Sequence, residues 1–257
     1  MSVEAGTLAA LQVAVISDIH ANLPALEAVL ESAEERQVEQ IWCLGDLVGY
    51  GADPDACVEL VRDRCDTCLL GNHDLAVLGD LDIAAFSEAA ASAVEWTRER
   101  IGEPALEFLR ELGPALESQG IGLFHASPRD PVWEYVLSIE QADECMESQP
   151  ERLALIGHTH VALFFTRLPE DGSRGDTRGG QAEDGLRLDL AEGRWLLNPG
   201  SAGQPRDGDP RAAWLELDTE QYAARFHRVG YDVDRAAASI VGAGLPKRLA
   251  DRLYIGQ

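Results

Sequence analysis

Five short apolar runs in this chain each break abruptly into aspartate, asparagine or histidine, and this pattern restricts the fold more than anything else in the sequence. Leu11–Ser17 (LQVAVIS) leads into Asp18-Ile19-His20, and Ile41–Leu44 into Gly45-Asp46-Leu47-Val48-Gly49-Tyr50-Gly51. Thr67–Leu70 leads into Gly71-Asn72-His73-Asp74, Ile121–Phe124 into His125, and Arg152–Ile156 into Gly157-His158-Thr159-His160. A run this short reads as a buried strand. Polar groups placed just after such a strand lie at its carboxyl edge, where open α/β sheets bind ligands.

Helical spacing fills the intervals. Asn22 suits an N-cap and Pro24 the first turn, and Leu23, Leu26, Leu30 and Ala33 then repeat at helical spacing. Asp55–Arg64 reads as a second helix, so the opening is βαβαβ and predicts a parallel sheet with right-handed crossovers. Residues 75–118 are rich in Ala, Glu, Arg and Leu, with Val94, Ile101, Leu106 and Leu109 at amphipathic spacing, and predict a helical cap-like insertion. A helix is predicted at about 138–148. Short strands are predicted at Val161–Arg167, Leu186–Leu190, Trp195–Leu197, Ala212–Leu217 and Tyr222–Val229. The polar, glycine-rich segment Glu170–Gly185 reads as a mobile surface loop, and the tail from Asp232 as helical with a break at Gly242–Pro246. Residues 1–257 are expected to form a single domain.

Composition limits the partners. The chain has 45 acidic residues against 21 Lys and Arg, a net charge of −24, which would repel the phosphate backbone of a nucleic-acid polymer. A small anion can still bind where cations override that field. Cys43, Cys57, Cys65, Cys68 and Cys145 lack a disulfide-framework spacing, and the Cys65-x-x-Cys68 pair reads as reduced, partly buried thiols. Neither a signal peptide nor an apolar run of about 18 residues is read, so a cytoplasmic protein without a membrane partner is expected.

Taken singly, each strand-end motif is an ordinary βα loop. Together they supply Asp18, His20, Asp46, Asn72, His125, His158 and His160, oxygen and imidazole donors of the kind that first-row transition metals take. Asp18 and His20 are two apart and would share one side if strand geometry persisted. Asp46 has two oxygens with which to bridge two cations. Asp74 is placed to partner the His73 imidazole. His227 lies in an alternating late strand and reads as structural.

Asp18-x-His20, Gly45-Asp46, Gly71-Asn72-His73-Asp74, His125 and Gly157-His158-Thr159-His160 stand in the order found in the calcineurin-like metallophosphoesterase superfamily. The chain resembles that family over about residues 11–160. Asn198-Pro199-Gly200-Ser201, inside Trp195–Ala212, resembles the compact bacterial and archaeal phosphodiesterase-like branch. The resemblance implies an α/β fold, a two-sheet αββα sandwich with flanking helices and a dinuclear centre at the sheet edge. It implies that Asp18, His20 and His160 hold one metal, that Asn72, His125 and His158 hold the other, and that Asp46 bridges them. The metals would be manganese, iron, zinc or nickel.

That centre would hydrolyse small phosphodiesters or nucleotide polyphosphates by attack of a metal-bridging hydroxide, with cations about 3.5–4 Å apart clamping the phosphorus. His73, if protonated and oriented by Asp74, would stabilise or protonate the leaving oxygen. Arg206 and Arg129 are candidate phosphate contacts, against ordinary surface salt bridges. Tyr50, Trp133 and Tyr135 are candidate stacking surfaces for a base. A phosphomonoesterase, including a protein Ser/Thr phosphatase, would use the same centre, and a non-catalytic scaffold is the alternative of a different class.

Overall fold

The computed structural model describes residues 11–170, 173 and 175–257. The strands are β1 (Gln12–Ile16), β2 (Gln40–Cys43), β3 (Thr67–Cys68), β4 (Ala115–Ser118), β5 (Ile121–Phe124) and β6 (Leu153–Leu155). They continue with β7 (Ala162–Arg167), β8 (Thr177–Gln181), β9 (Arg187–Asp189), β10 (Arg194–Pro199), β11 (Ala212–Asp218) and β12 (Ala223–Val229). The helices are α1 (Leu23–Glu35), α2 (Pro54–Arg64), α3 (Asn72–Leu78), α4 (Glu88–Arg98), α5 (Glu103–Arg110), α6 (Ile139–Glu147), α7 (Val233–Gly242) and α8 (Lys247–Asp251). One sheet runs β3-β2-β1-β11-β12-β9 and the other β4-β5-β6-β10-β7-β8.

The period-2 alternation of β1 assigns its residues to two layers. Val13 and Val15 join Trp42, Leu44, Leu123, Leu155, Leu197 and Phe226 in a core between the sheets. Ala14 and Ile16 point the other way, onto Leu26 and Val29 of α1. Behind the second sheet, Cys145 and Met146 of α6 pack on Ala154, Ile156 and Leu196. The result is the expected α/β layering, two mixed sheets flanked by helices. Local chemistry fixes the helix ends: Asn22 Oδ1 accepts from Ala25 N at 3.3 Å, and Ser138 and Gln141 cap each other at the start of α6.

The βαβαβ opening is parallel from β1 to β3, as are β5, β6 and β10 in the second sheet, while β11 joins β1 antiparallel with Gln12 opposite Asp218. Two expectations need correction. The helical excursion stops at Arg110, and Ala115–Ser118 is a strand that forms a hairpin with β5. The cause is the turn at Gln119-Gly120, where both residues have positive φ (53° and 69°), the backbone that a tight hairpin needs. Most of the supposed loop Glu170–Gly185 is also ordered, since β8 pairs with β7 from Arg167↔Thr177 to Leu163↔Gln181. Residues 171, 172 and 174 of that segment lie outside the described residues. Gly179 and Gly180 hid this strand, because main-chain hydrogen bonds and not side chains hold it at the sheet edge. Among the described residues no helix is long and apolar enough to cross a membrane.

Candidate metal centre

The strand-end loops do not continue the strands. Asp18, His20, Asp46, His158 and His160 all have positive φ, between 52° and 64°. Non-glycine residues avoid this left-handed region, and clusters of them mark functional sites. The β1 loop is held in it by the β2 loop: Asp18 N donates to Gly45 O (3.0 Å), His20 N to Asp46 O (2.9 Å) and Ala21 N to Leu47 O (2.8 Å). Asp18 and His20 do come together, with His20 Nε2 3.9 Å from Asp18 Oδ1. The left-handed turn brings them together, and not the strand pleat that their spacing suggested. Gly71 leaves room for the carboxylate of Asp46, since a Cβ at that position would overlap Asp46 Oδ1.

The loops bring all seven predicted donors into one buried cluster. Asp18, His20, Asp46 and His160 form one group, and Asp46, His125 and His158 a second, with one ligand atom of each residue within 4.8 Å of the others in its group. Asn72 Oδ1 lies 3.1 Å from His125 Nε2. The ring Nδ1 atoms of His20, His125 and His160 face the carbonyls of Val48 (3.1 Å), Leu44 (2.9 Å) and Gln204 (2.6 Å). A carbonyl only accepts, so each Nδ1 carries the proton and each Nε2 presents a lone pair. His20 Nε2 and His160 Nε2 therefore face each other as two acceptors at 3.0 Å. Asp18 Oδ1, Asp46 Oδ2 and His158 Nε2 are buried without a hydrogen-bond partner.

Such an arrangement is unfavourable for the protein alone and suits a cation. Burial pushes the Asp18 carboxyl up to about 7, and burial together with the Asp74 charge raises that of Asp46 well above its ordinary value. Burial first, with the neighbouring imidazoles and the Arg206 guanidinium disfavouring a further positive charge, holds His20 and His160 well below the usual imidazole range, and His158 at about 2. Protonation of His20, His158 and His160 is thus closed as a remedy. Convergent lone pairs, buried carboxylates and neutral imidazoles make the donor set of a metal site, and the residues present fit one.

His73 also reaches this cluster, its ring 4.8 Å from that of His20, 4.4 Å from Tyr50 and 4.9 Å from Phe86. Phe86 belongs to the predicted helical excursion, which thus touches the site. Asp74 does not orient the imidazole as its adjacency suggested. Its oxygens accept from Val48 N (3.0 Å) and Gly71 N (2.9 Å), which caps α3 and ties it to the β2 loop. His73 Nδ1 is left without a partner, and burial and the Arg206 charge hold the ring well below its ordinary pKa, so it is neutral.

Of the two candidate arginines, the structure brings one to the site. Arg206 donates to the Tyr50 hydroxyl (3.3 Å) and to Gln204 Oε1 (3.1 Å), and its charge acts on Asp18 and His20. Arg129 is taken up by Glu134 and Glu144, neither of which belongs to the cluster. Tyr135 lies against His158, with ring centroids 4.1 Å apart, and Trp133 packs on Phe86 at 5.3 Å. His227 is 4.3 Å from Trp214 and pairs with Glu216 in the first sheet, remote in register from the motifs.

Sequence reasoning passed over the supports of the loops. Asn198 Nδ2 donates to Gly157 O (2.7 Å) and Thr159 Oγ1 (2.9 Å), and its Oδ1 accepts from Gly200 N (2.9 Å). Ser201 Oγ donates to Asp18 O at 2.7 Å and accepts from Gln204 N. The Asn-Pro-Gly-Ser run thereby fixes two ligand loops from behind. Its small polar residues beside a glycine were the available signal.

Comparison with known proteins agrees with this geometry. Residues 11–220 match the model of the calcineurin-like phosphoesterase superfamily domain. An uncharacterized protein of Methanocaldococcus jannaschii is 38% identical over 250 residues, covering 95% of this chain and 98% of that protein. A crystal structure of a metallophosphoesterase from Sphaerobacter thermophilus is 39% identical, with a TM-score of 0.85, covering 96% of this chain and 100% of that one. A symmetrical bis(5'-nucleosyl)-tetraphosphatase of Actinobacillus pleuropneumoniae is 25% identical over 176 residues, covering 62% of this chain and 59% of that protein. With this cluster at its sheet edge, the chain belongs to the calcineurin-like phosphoesterase superfamily and is a metal-dependent phosphoesterase.

Proposed function

We propose that the two donor groups hold two transition-metal cations and that the protein hydrolyses small phosphodiesters or nucleotide polyphosphates. The observation that carries this reading is Asp46, which belongs to both groups and keeps a buried oxygen without a partner. Asp18, His20 and His160 serve one cation, Asn72, His125 and His158 the other, and Asp46 both. Manganese, iron, zinc and nickel all suit such nitrogen and oxygen donors. Bound there, two cations supply Lewis acidity at phosphorus and a nucleophile from water near neutral pH.

The chain's own groups do the rest. The carbonyls of Val48, Leu44 and Gln204 fix the tautomers of three histidines, so that Nε2 faces the cations. Arg206 binds a phosphoryl oxygen from the rim, and the neutral His73 imidazole donates a hydrogen bond to the leaving oxygen. Trp133 and Tyr135 offer ring faces to a base. A tetraphosphatase among the relatives supports nucleotide polyphosphates as the substrate class.

The test is metal-stripped protein reloaded with manganese and assayed on bis(p-nitrophenyl) phosphate, p-nitrophenyl phosphate and a dinucleoside tetraphosphate, alongside metal counting by mass spectrometry. Two metals per chain, with turnover of the diester or the tetraphosphate, is the expected result. One metal per chain at full activity, or cleavage of the monoester alone, overturns the proposal.

A further inference from the structure

Tyr50 borders the donor cluster, its ring centroid 4.7 Å from that of His20. Two guanidinium groups lie against this ring, the carbon of Arg206 at 5.6 Å and that of Arg252 at 5.9 Å from its centroid. Arg252 comes from the short helical turn Arg252–Tyr254 that follows α8, beyond residue 220 where the match to the family model ends. The tail is anchored: Leu249 and Leu253 share an apolar cluster with Tyr50, and Gly208 N donates to Gly256 O at 3.0 Å. Arg252 is thereby held beside the loop that carries Arg206.

These arginines stand out in a chain with a net charge of −24. Arg206 donates to Tyr50 and Gln204, and Arg252 to the main-chain oxygen of Gln257. Arg206 forms no salt bridge with a carboxylate among the described residues. Arg206 Nε is buried and has no acceptor. Burial and the charge of Arg206 both oppose the charge on Arg252. Two guanidinium groups set on one ring form a place for an anion between them, and their planar forks suit phosphoryl oxygens.

We propose that Arg206 and Arg252, set on Tyr50, form a second-anion subsite that takes the phosphoryl group adjoining the one at the donor cluster. The subsite makes the centre selective for polyphosphate esters over isolated phosphodiesters, an inference that rests on the proposed function above. Arg252 is the new element, contributed by the tail.

The experiment compares wild type, Arg252→Ala, Arg252→Lys and, as a control on an exposed arginine already paired with Glu27, Arg235→Ala. The manganese-loaded proteins are assayed on a dinucleoside tetraphosphate and on bis(p-nitrophenyl) phosphate. The metal-free proteins are titrated with inorganic tripolyphosphate by calorimetry. Arg252→Ala should raise KM for the tetraphosphate about tenfold, keep kcat within about twofold and weaken tripolyphosphate binding about tenfold. Diester kinetics should not change, Arg252→Lys should recover part of the loss, and Arg235→Ala should match wild type. An equal loss on both substrates, or no change in either KM or tripolyphosphate affinity, overturns the subsite. If wild type turns over neither ester, the proposed function fails, and the tripolyphosphate titration alone decides the subsite.

Discussion

The two donor groups that share Asp46 differ in how their atoms answer one another. In the first, Val48 and Gln204 fix the tautomers of His20 and His160, and two lone pairs meet at 3.0 Å with Asp18 Oδ1 a third acceptor 3.4 Å from His160. No rotation relieves this. In the second, His125 Nε2 faces the Asn72 amide at 3.1 Å, and a half-turn of that amide would present a donor. His158 in turn leans on Tyr135, which is 42% exposed. The difference teaches that the first group has greater need of a cation and should hold one more tightly.

Asp46→Asn strikes both groups at once and should have the largest effect, a loss of more than about 1000-fold in kcat with metal added. Retention of a tenth of wild-type turnover would sink the shared-carboxylate reading. The next effect is on stability and reports the first group. Burial holds the Asp18 carboxyl at about 7 in the folded state, above its ordinary value of 3.8. The folded state therefore binds the extra proton, so this contribution is complete below the unfolded value and is lost as pH rises through about 7. Measured as the difference from Asp18→Asn, which removes the background of the buried histidines, metal-free protein should lose about 2–4 kcal/mol in urea melts between pH 4 and pH 8, and bound metal should flatten that difference. A wild-type profile parallel to that of Asp18→Asn over this range would contradict it.

Asn198→Ala removes the partner of three buried groups and should cost about 1–3 kcal/mol, read from the denaturation midpoint, with weaker metal binding as the loops loosen. The asymmetry itself is tested by chelator competition on His160→Ala and His158→Ala. Loss of His160 should weaken the tighter site about tenfold more than loss of His158. Equal losses would make the two groups equivalent. Arg129→Ala should cost about 1 kcal/mol and leave turnover intact, because Glu144 is exposed, the largely buried Glu134 keeps Ser127 as a partner, and both lie outside the donor cluster.

Much of the candidate site is legible in the sequence. The donors fall where short apolar strands stop, and a strand that stops in Asp or His without a helix signal leaves that group at a sheet edge. What Asp74 does was not legible, since adjacency to His73 says nothing of direction and its carboxylate is the cap of α3. Edge strands such as β4 and β8 were missed because main-chain pairing makes them, and their side chains carry little burial pattern.

The sequence by itself determined which residues could ligate and roughly where each strand would end, because hydrophobic periodicity and turn chemistry act over a few residues. Only the tertiary structure decided that His20 meets His160, 140 residues away, that Asn198 and Ser201 brace the loops, and that Arg252 reaches Tyr50. Those approaches depend on sheet register and on left-handed turns held by hydrogen bonds from distant strands, and no local pattern encodes the distance between them.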